Sequence, residues 1–263
     1  MVTARDQIGR IVKMGTPAKA IVSLVPSLTD LLSRLQLDEC VVGITKFCVH
    51  PASWKSKKVV VGGTKQFHFS RIEKLSPDLI IANKEENTKG DIDVLAENYA
   101  VYISDIKSLS DCYQCILDIG TLTNRREESI QLINDIKEAF NSLNKSKEGQ
   151  KVAYCIWKDP WMFAGNDTFI DHMLVQAGLL NAVQQPRYPS IAIAEIAELK
   201  PDFLFLSSEP FPFGIDHIKQ LTDLLPNTKI TLVDGELFSW YGSSVLKFPA
   251  YINSLLEELK TSK

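Results

Sequence analysis

Hydrophobic residues along this chain gather in short unbroken runs, separated by stretches whose apolar positions recur at helical spacing. Runs at 20–25, 41–44, 59–61, 78–82 and 101–103, then at 151–157, 203–206 and 230–233, predict strands buried on both faces. The intervening segments 28–35, 92–98, 110–122, 168–177 and 249–260 predict helices, with Ser27 placed to cap the first. Strand alternating with helix implies an α/β fold whose mostly parallel sheet is covered on both faces. A turn dipeptide between alternating residues at 6–14 predicts a small N-terminal hairpin.

One predicted helix is unusually long. Asn124 followed by Glu127 forms a capping pair, and Ile130, Ile133, Ile136, Phe140 and Leu143 trace a narrow apolar stripe before Gly149 ends the element. Residues 124–145 make a rod of roughly 33 Å at 1.5 Å per residue. Similar sequence flanks it. Arg71 to Ala82 and Glu195 to Leu206 both read as a short amphipathic helix, a Pro-Asp break and a buried strand. Two lobes of like construction joined by the rod follow: an N-terminal α/β lobe at 1–122, a bridging helix at 123–148 and a C-terminal α/β lobe at 149–263.

Charge and composition narrow the partners. A net charge of −3 leaves no basic surplus for a nucleic-acid backbone, and no apolar run reaches the roughly 20 residues of a membrane span. Lys55, Lys57 and Lys58 cluster, as in a solvated loop. The five cysteines are odd in number and no apolar leader follows Met1, which together predict a reducing, cytoplasmic setting, or a periplasmic or cell-surface one if a leader has been removed. Cys112 and Cys115 share a helix face without a second pair, so they read as buried thiols.

Ligands in open α/β sheets bind beyond the carboxyl ends of strands. That rule nominates the loops 26–27, 47–54, 62–69, 157–167 and 236–244, which hold all four tryptophans. Cys48 and His50, with His68 on a neighbouring loop, form a candidate metal-ligand set. A rigid turn with a hydrogen-bonded histidine is the alternative that Pro51 supports. No dinucleotide or phosphate-binding glycine motif appears, and nothing resembles an assembled catalytic centre, so an enzyme is not expected.

The hairpin with Ile21-Val22-Ser23-Leu24-Val25-Pro26-Ser27, Phe47-Cys48-Val49-His50-Pro51, Gly62-Gly63, the Pro77-Asp78 strand and Phe238-Ser239-Trp240-Tyr241-Gly242-Ser243 together resemble the periplasmic substrate-binding proteins for cobalamin and ferric siderophores. The resemblance covers essentially the whole chain and implies two Rossmann-like lobes bridged by one long helix, the class III periplasmic-binding-protein arrangement. It implies a monomeric, non-catalytic receptor that holds a corrinoid or iron chelate, needs no cofactor and delivers its cargo to an ABC permease. Phe47, Thr64, Tyr188 and Glu236 fall where vitamin B12 binders present a Tyr, a Trp, a Trp and an Asp. Tyr188 keeps a stacking face and Glu236 a carboxylate, while Thr64 loses the aromatic; Trp54, Phe67, Trp161 and Trp240 are candidate replacements. For Trp240 a structural role is favoured. The two permease-docking glutamates of the family are replaced by Ser70 and Ala194, with Glu195 and Glu73 nearby. A cytoplasmic protein or enzyme that handles a corrinoid or tetrapyrrole is the alternative, and a divalent-metal binder ranks last because the chain has only four histidines.

Overall fold

The computed structural model describes residues 1–261. The chain divides into two compact units, Met1–Lys137 with Tyr241–Ser244, and Glu138–Trp240 with the chain from Val245 onward. In the first unit, β1 (Val2–Arg5) and β2 (Ile11–Met14) form the expected antiparallel hairpin, closed by Asp6 and by Gly9 at a φ of 93°. There follow β3 (Ile21–Ser23), α1 (Pro26–Arg34), β4 (Val41–Ile44), α2 (Trp54–Lys57), β5 (Val59–Val60), α3 (Phe69–Leu75), β6 (Leu79–Asn83), α4 (Lys89–Ala96), β7 (Val101–Ser104), α5 (Leu109–Leu122) and α6 (Arg126–Asn141). The five strands β5-β4-β3-β6-β7 pair parallel in that order. All residues of β3, β6 and β7 are buried, as continuous apolar runs covered on both faces require.

The second unit repeats the scheme. It holds β8 (Lys151–Trp157), β9 (Met162–Phe163), α7 (Phe169–Gln176), β10 (Leu180–Asn181), α8 (Ile193–Leu199), β11 (Phe203–Ser207), α9 (Ile215–Thr222), β12 (Lys229–Val233), α10 (Gly235–Ser239) and α11 (Phe248–Thr261). Strands β10-β8-β11-β12 are parallel, with β9 antiparallel on β8.

The internal repeat has a physical basis in both units. Ser76 and Lys200, each just after its helix, take left-handed backbone (φ 44° and 50°) and turn the chain into Pro-Asp. Asp78 then accepts the backbone N–H groups of Lys19 and Ala20 at 2.8 and 3.1 Å, while Asp202 accepts that of Lys151 at 2.7 Å. Each aspartate therefore locks its own strand to the start of the neighbouring one, β3 or β8.

Two expectations about helix ends are corrected. Ser27 does not cap α1: Val25 is the N-cap, Pro26 opens the helix, and the buried Ser27 hydroxyl makes no capping bond. Asn124 does not cap the long helix either. It takes a φ of 57°, and Arg125 N–H returns to Gly120 C=O at 2.7 Å, so this residue closes α5. The helix that follows is accordingly α6, 16 residues long, rather than the full 124–145. Ile133 and Ile136 are buried on it, but Ile130 is exposed, and Leu132 and Ser129 complete the buried face. Beyond it the chain is held by Asn253, whose amide pairs with Asn144 N–H and Ser142 C=O at 2.8 and 2.9 Å.

Candidate ligand-binding site

In the first unit the loops leaving β4 and β5 meet at Gly62-Gly63. Lys46 N–H donates to Gly62 C=O at 2.7 Å, and Gly63 N–H to Gln66 C=O at 2.7 Å. Gly62 sits at a φ of 131°, and a Cβ there would lie 2.6 Å from Gln66 O and Phe67 Cα, so only glycine fits. Asn87 supports the turn from β6, donating to Thr64 C=O at 2.7 Å. Phe47 and Phe67 flank this floor in opposite states. Phe47 is 50% exposed with the Lys46 ammonium 4.9 Å from its ring centre. Phe67 is buried in the core beneath, 5.3 Å from Phe69.

Trp54 offers no ligand surface. It is 1% exposed, its indole N–H donates to Asp38 at 2.8 Å, and Lys58 lies over its ring. The candidate metal set is not assembled. Cys48 is fully buried, accepting from Thr29 Oγ1 at 3.0 Å and sharing a hydrogen bond with Thr45 at 3.2 Å, while His50 and His68 are exposed. Burial pushes the Cys48 thiol up, against the pull of these hydrogen bonds. Among the described residues no group of three or more His, Cys, Asp or Glu gathers to hold a metal ion.

In the second unit the strand ends carry rings and carboxylates. Half-buried Trp161 stacks on Phe213 with ring centres 6.0 Å apart and planes inclined by 6°. Trp157 meets Phe211 edge-on at 5.5 Å, Phe211 lies 4.6 Å from Phe213, and His217 abuts both phenylalanines. The His217 ring is fixed by Gly214 N–H, which donates to Nδ1 at 3.0 Å. Tyr188 is half-buried with the Arg187 guanidinium 5.8 Å from its ring.

Glu236 lines a hollow of about 560 Å³ together with Ser208, Glu209, Leu232, Val233 and Asp234. Trp240 is nearly buried and its indole N–H donates to Glu209 Oε1 at 2.9 Å, where the Ser239 hydroxyl also donates at 2.8 Å. The ring thus positions a carboxylate instead of facing a ligand. Burial raises the Glu209 carboxyl, the charges of Glu236 and Asp234 add to the rise, and the two donors oppose it. Sequence reasoning missed Glu209, Phe211 and Phe213. Glu209-Pro210-Phe211-Pro212-Phe213-Gly214 begins one residue after the end of β11, so the strand-end rule already pointed there.

Ser70 and Ala194 occupy matching exposed positions on α3 and α8. Glu195 serves its own helix, accepting Ala192 N–H at 2.9 Å.

Comparison with known proteins decides the family. The periplasmic binding protein family matches residues 21–229. The chain belongs to this family. Its members are solute receptors rather than enzymes. An ABC transporter substrate-binding lipoprotein of Bacillus subtilis is 28% identical over 215 residues, 76% of this chain and 67% of that protein. A vitamin B12-binding protein of Pectobacterium carotovorum is 26% identical over 135 residues, 51% of this chain and about half of the relative at 48%. Among solved structures, a periplasmic heme-binding protein of Vibrio cholerae superposes with a TM-score of 0.78 at 19% identity, covering 90% of this chain and 98% of that one. Membership explains the two α/β units built on one repeat. Among the described residues no helix is long and apolar enough to cross a membrane.

Proposed function

We propose that this family member captures a metal-bearing macrocycle or chelate, a corrinoid or a ferric siderophore, for ABC-type uptake. The observation that carries the reading is the match to the receptor family over 21–229, joined to relatives that bind vitamin B12. The strand ends support it. Phe47 on the first sheet, and Trp157 and Trp161 with their phenylalanine partners on the second, offer flat apolar faces, and Glu236 beside Asp234 offers acceptors for amide groups. Phe47, Trp161, Tyr188 and Glu236 are the contacts of this reading. The residues at Ser70 and Ala194 bring no charge to a permease, so docking falls to other groups, the exposed Glu73 on α3 among them.

Tryptophan quenching and calorimetry with cobalamin, hemin and ferric siderophores test this function. Saturable binding of one class at one ligand per chain is expected; the absence of heat and quenching with every class would defeat it.

A further inference from the structure

Six of the chain's 29 Lys and Arg residues, and none of its 32 Asp and Glu, fall between Cys40 and Ile72. A protein with a net charge of −3 thus concentrates positive charge on one stretch, and that stretch supplies the loops at the carboxyl ends of β4 and β5. Two of the six are committed to structure. Lys58 Nζ bonds Asp38 C=O, and Arg71 donates to Val60 C=O at 2.7 Å. Lys55 and Lys57 stand exposed on the short helix α2.

Lys46 differs from these. A Cβ built on Gly63 would meet Phe47 Cε2 at 3.3 Å and Lys46 Cε at 3.6 Å, so both side chains lie against the same bare glycine floor. The floor is held by the Lys46–Gly62 and Gly63–Gln66 backbone bonds and by Asn87 beneath Thr64. The ammonium rests over one face of the half-exposed Phe47 ring, and Lys65 stands exposed two residues beyond Gly63. Among the described residues neither Lys46 nor Lys65 has a carboxylate partner within ion-pair distance. A positioned ammonium beside an exposed ring, with no acid on either loop, favours a ligand bearing negative charge on an aromatic or conjugated frame.

We propose that Lys46, set beside Phe47 on the Gly62-Gly63 floor, selects an anionic chelate, one with carboxylate or catecholate groups, over a neutral corrinoid. This rests on the receptor reading given under Proposed function and narrows its ligand class. Lys46 acts as a specificity residue, with Lys65 and the exposed lysines of α2 adding attraction that salt screens.

Equilibrium titration of the intact protein with four probes tests it: a ferric tris-catecholate complex, hemin with its two propionates, a ferric trihydroxamate complex without net charge, and cyanocobalamin. An anionic probe is expected to bind at least about tenfold more tightly than either neutral one, and to weaken about threefold or more between about 0.05 and 0.5 M salt. Lys46→Gln should weaken that probe about five- to tenfold, Lys46→Arg should retain most of the affinity, and neutral probes should change less than about twofold in either. Circular dichroism and an unchanged unfolding midpoint confirm that these exposed-site variants are folded. Tighter binding of cyanocobalamin or the trihydroxamate, or Lys46→Gln binding the anionic probe as wild type does, overturns the proposal while leaving the receptor reading intact. Failure of all four probes overturns both.

Discussion

The Ser243 hydroxyl donates to Asp30 Oδ2 at 2.6 Å, joining residues 213 positions apart in sequence. Ser244 reaches the same oxygen at 3.3 Å. Gly242, at a φ of 84°, donates its N–H to the buried Cys112 thiol at 3.2 Å, and the Tyr241 hydroxyl donates to Glu86 at 3.0 Å. These four contacts explain why Tyr241–Ser244 belongs to the first unit although the chain on either side belongs to the second.

Asp30→Ala removes the shared acceptor and leaves two nearly buried hydroxyls without it. The loss should be about 1–3 kcal/mol of stability, read as a lower urea midpoint, with Asp30→Asn recovering most of it. A wild-type midpoint in Asp30→Ala would show that the segment is held by packing alone.

Glu209 should make stability depend on pH. Burial holds its carboxyl above the usual 4.5 in the folded state, so the folded protein keeps this proton longer than the unfolded chain does. Its contribution is therefore most favourable below the ordinary carboxylate range and is eroded as pH rises from there through the raised folded value. Relative to Glu209→Gln, which cannot ionise, the wild type should lose stability as pH climbs above the ordinary carboxylate range. Fluorescence of Trp240, hydrogen-bonded to the titrating oxygen, should shift over the same interval. Parallel pH profiles for the two proteins would contradict the assignment.

Thiol labelling should separate one cysteine from four. All five are unpaired; Cys48, Cys112, Cys115 and Cys155 are buried, while Cys40 is partly exposed. Burial pushes the thiols of Cys112 and Cys155 up to about 12 and raises those of Cys48 and Cys115, so little thiolate forms near neutrality. A disulfide reagent should label about one thiol in the native protein and all five in denaturant. Rapid native labelling of more than one would mean that these sites open.

Gly62→Ala should disturb the first unit's loop more than its size suggests. The new methyl would press on Gln66 O and Phe67 Cα at a backbone angle that L residues rarely adopt. A stability loss of about 1–3 kcal/mol is expected, together with weakened ligand binding.

The repeat was readable because Pro-Asp acts locally: a proline breaks the helix and an aspartate seeks backbone N–H groups, in both units alike. The strand runs were readable because strands buried on both faces are apolar throughout. Asn124 was not, since an asparagine caps helices at either end, and only its left-handed φ shows that it closes α5. Trp54 and Phe67 misled for a related reason. An aromatic in a strand-end loop can turn inward or outward, and here Asp38 and the core draw both inward, leaving Phe47 at the surface. Cys48 and His50, two residues apart, likewise part company, the thiol packing against Thr29 and Thr45 while His50 lies at the exposed surface of the loop.

Native mass spectrometry of the protein mixed with equal amounts of cobalamin, hemin and ferric siderophores tests the receptor assignment most directly. A single adduct of one ligand per chain is expected, drawn from one class and lost or weakened in Phe47→Ala and Trp161→Ala. Only bare protein across a wide range of ligand concentration would contradict it.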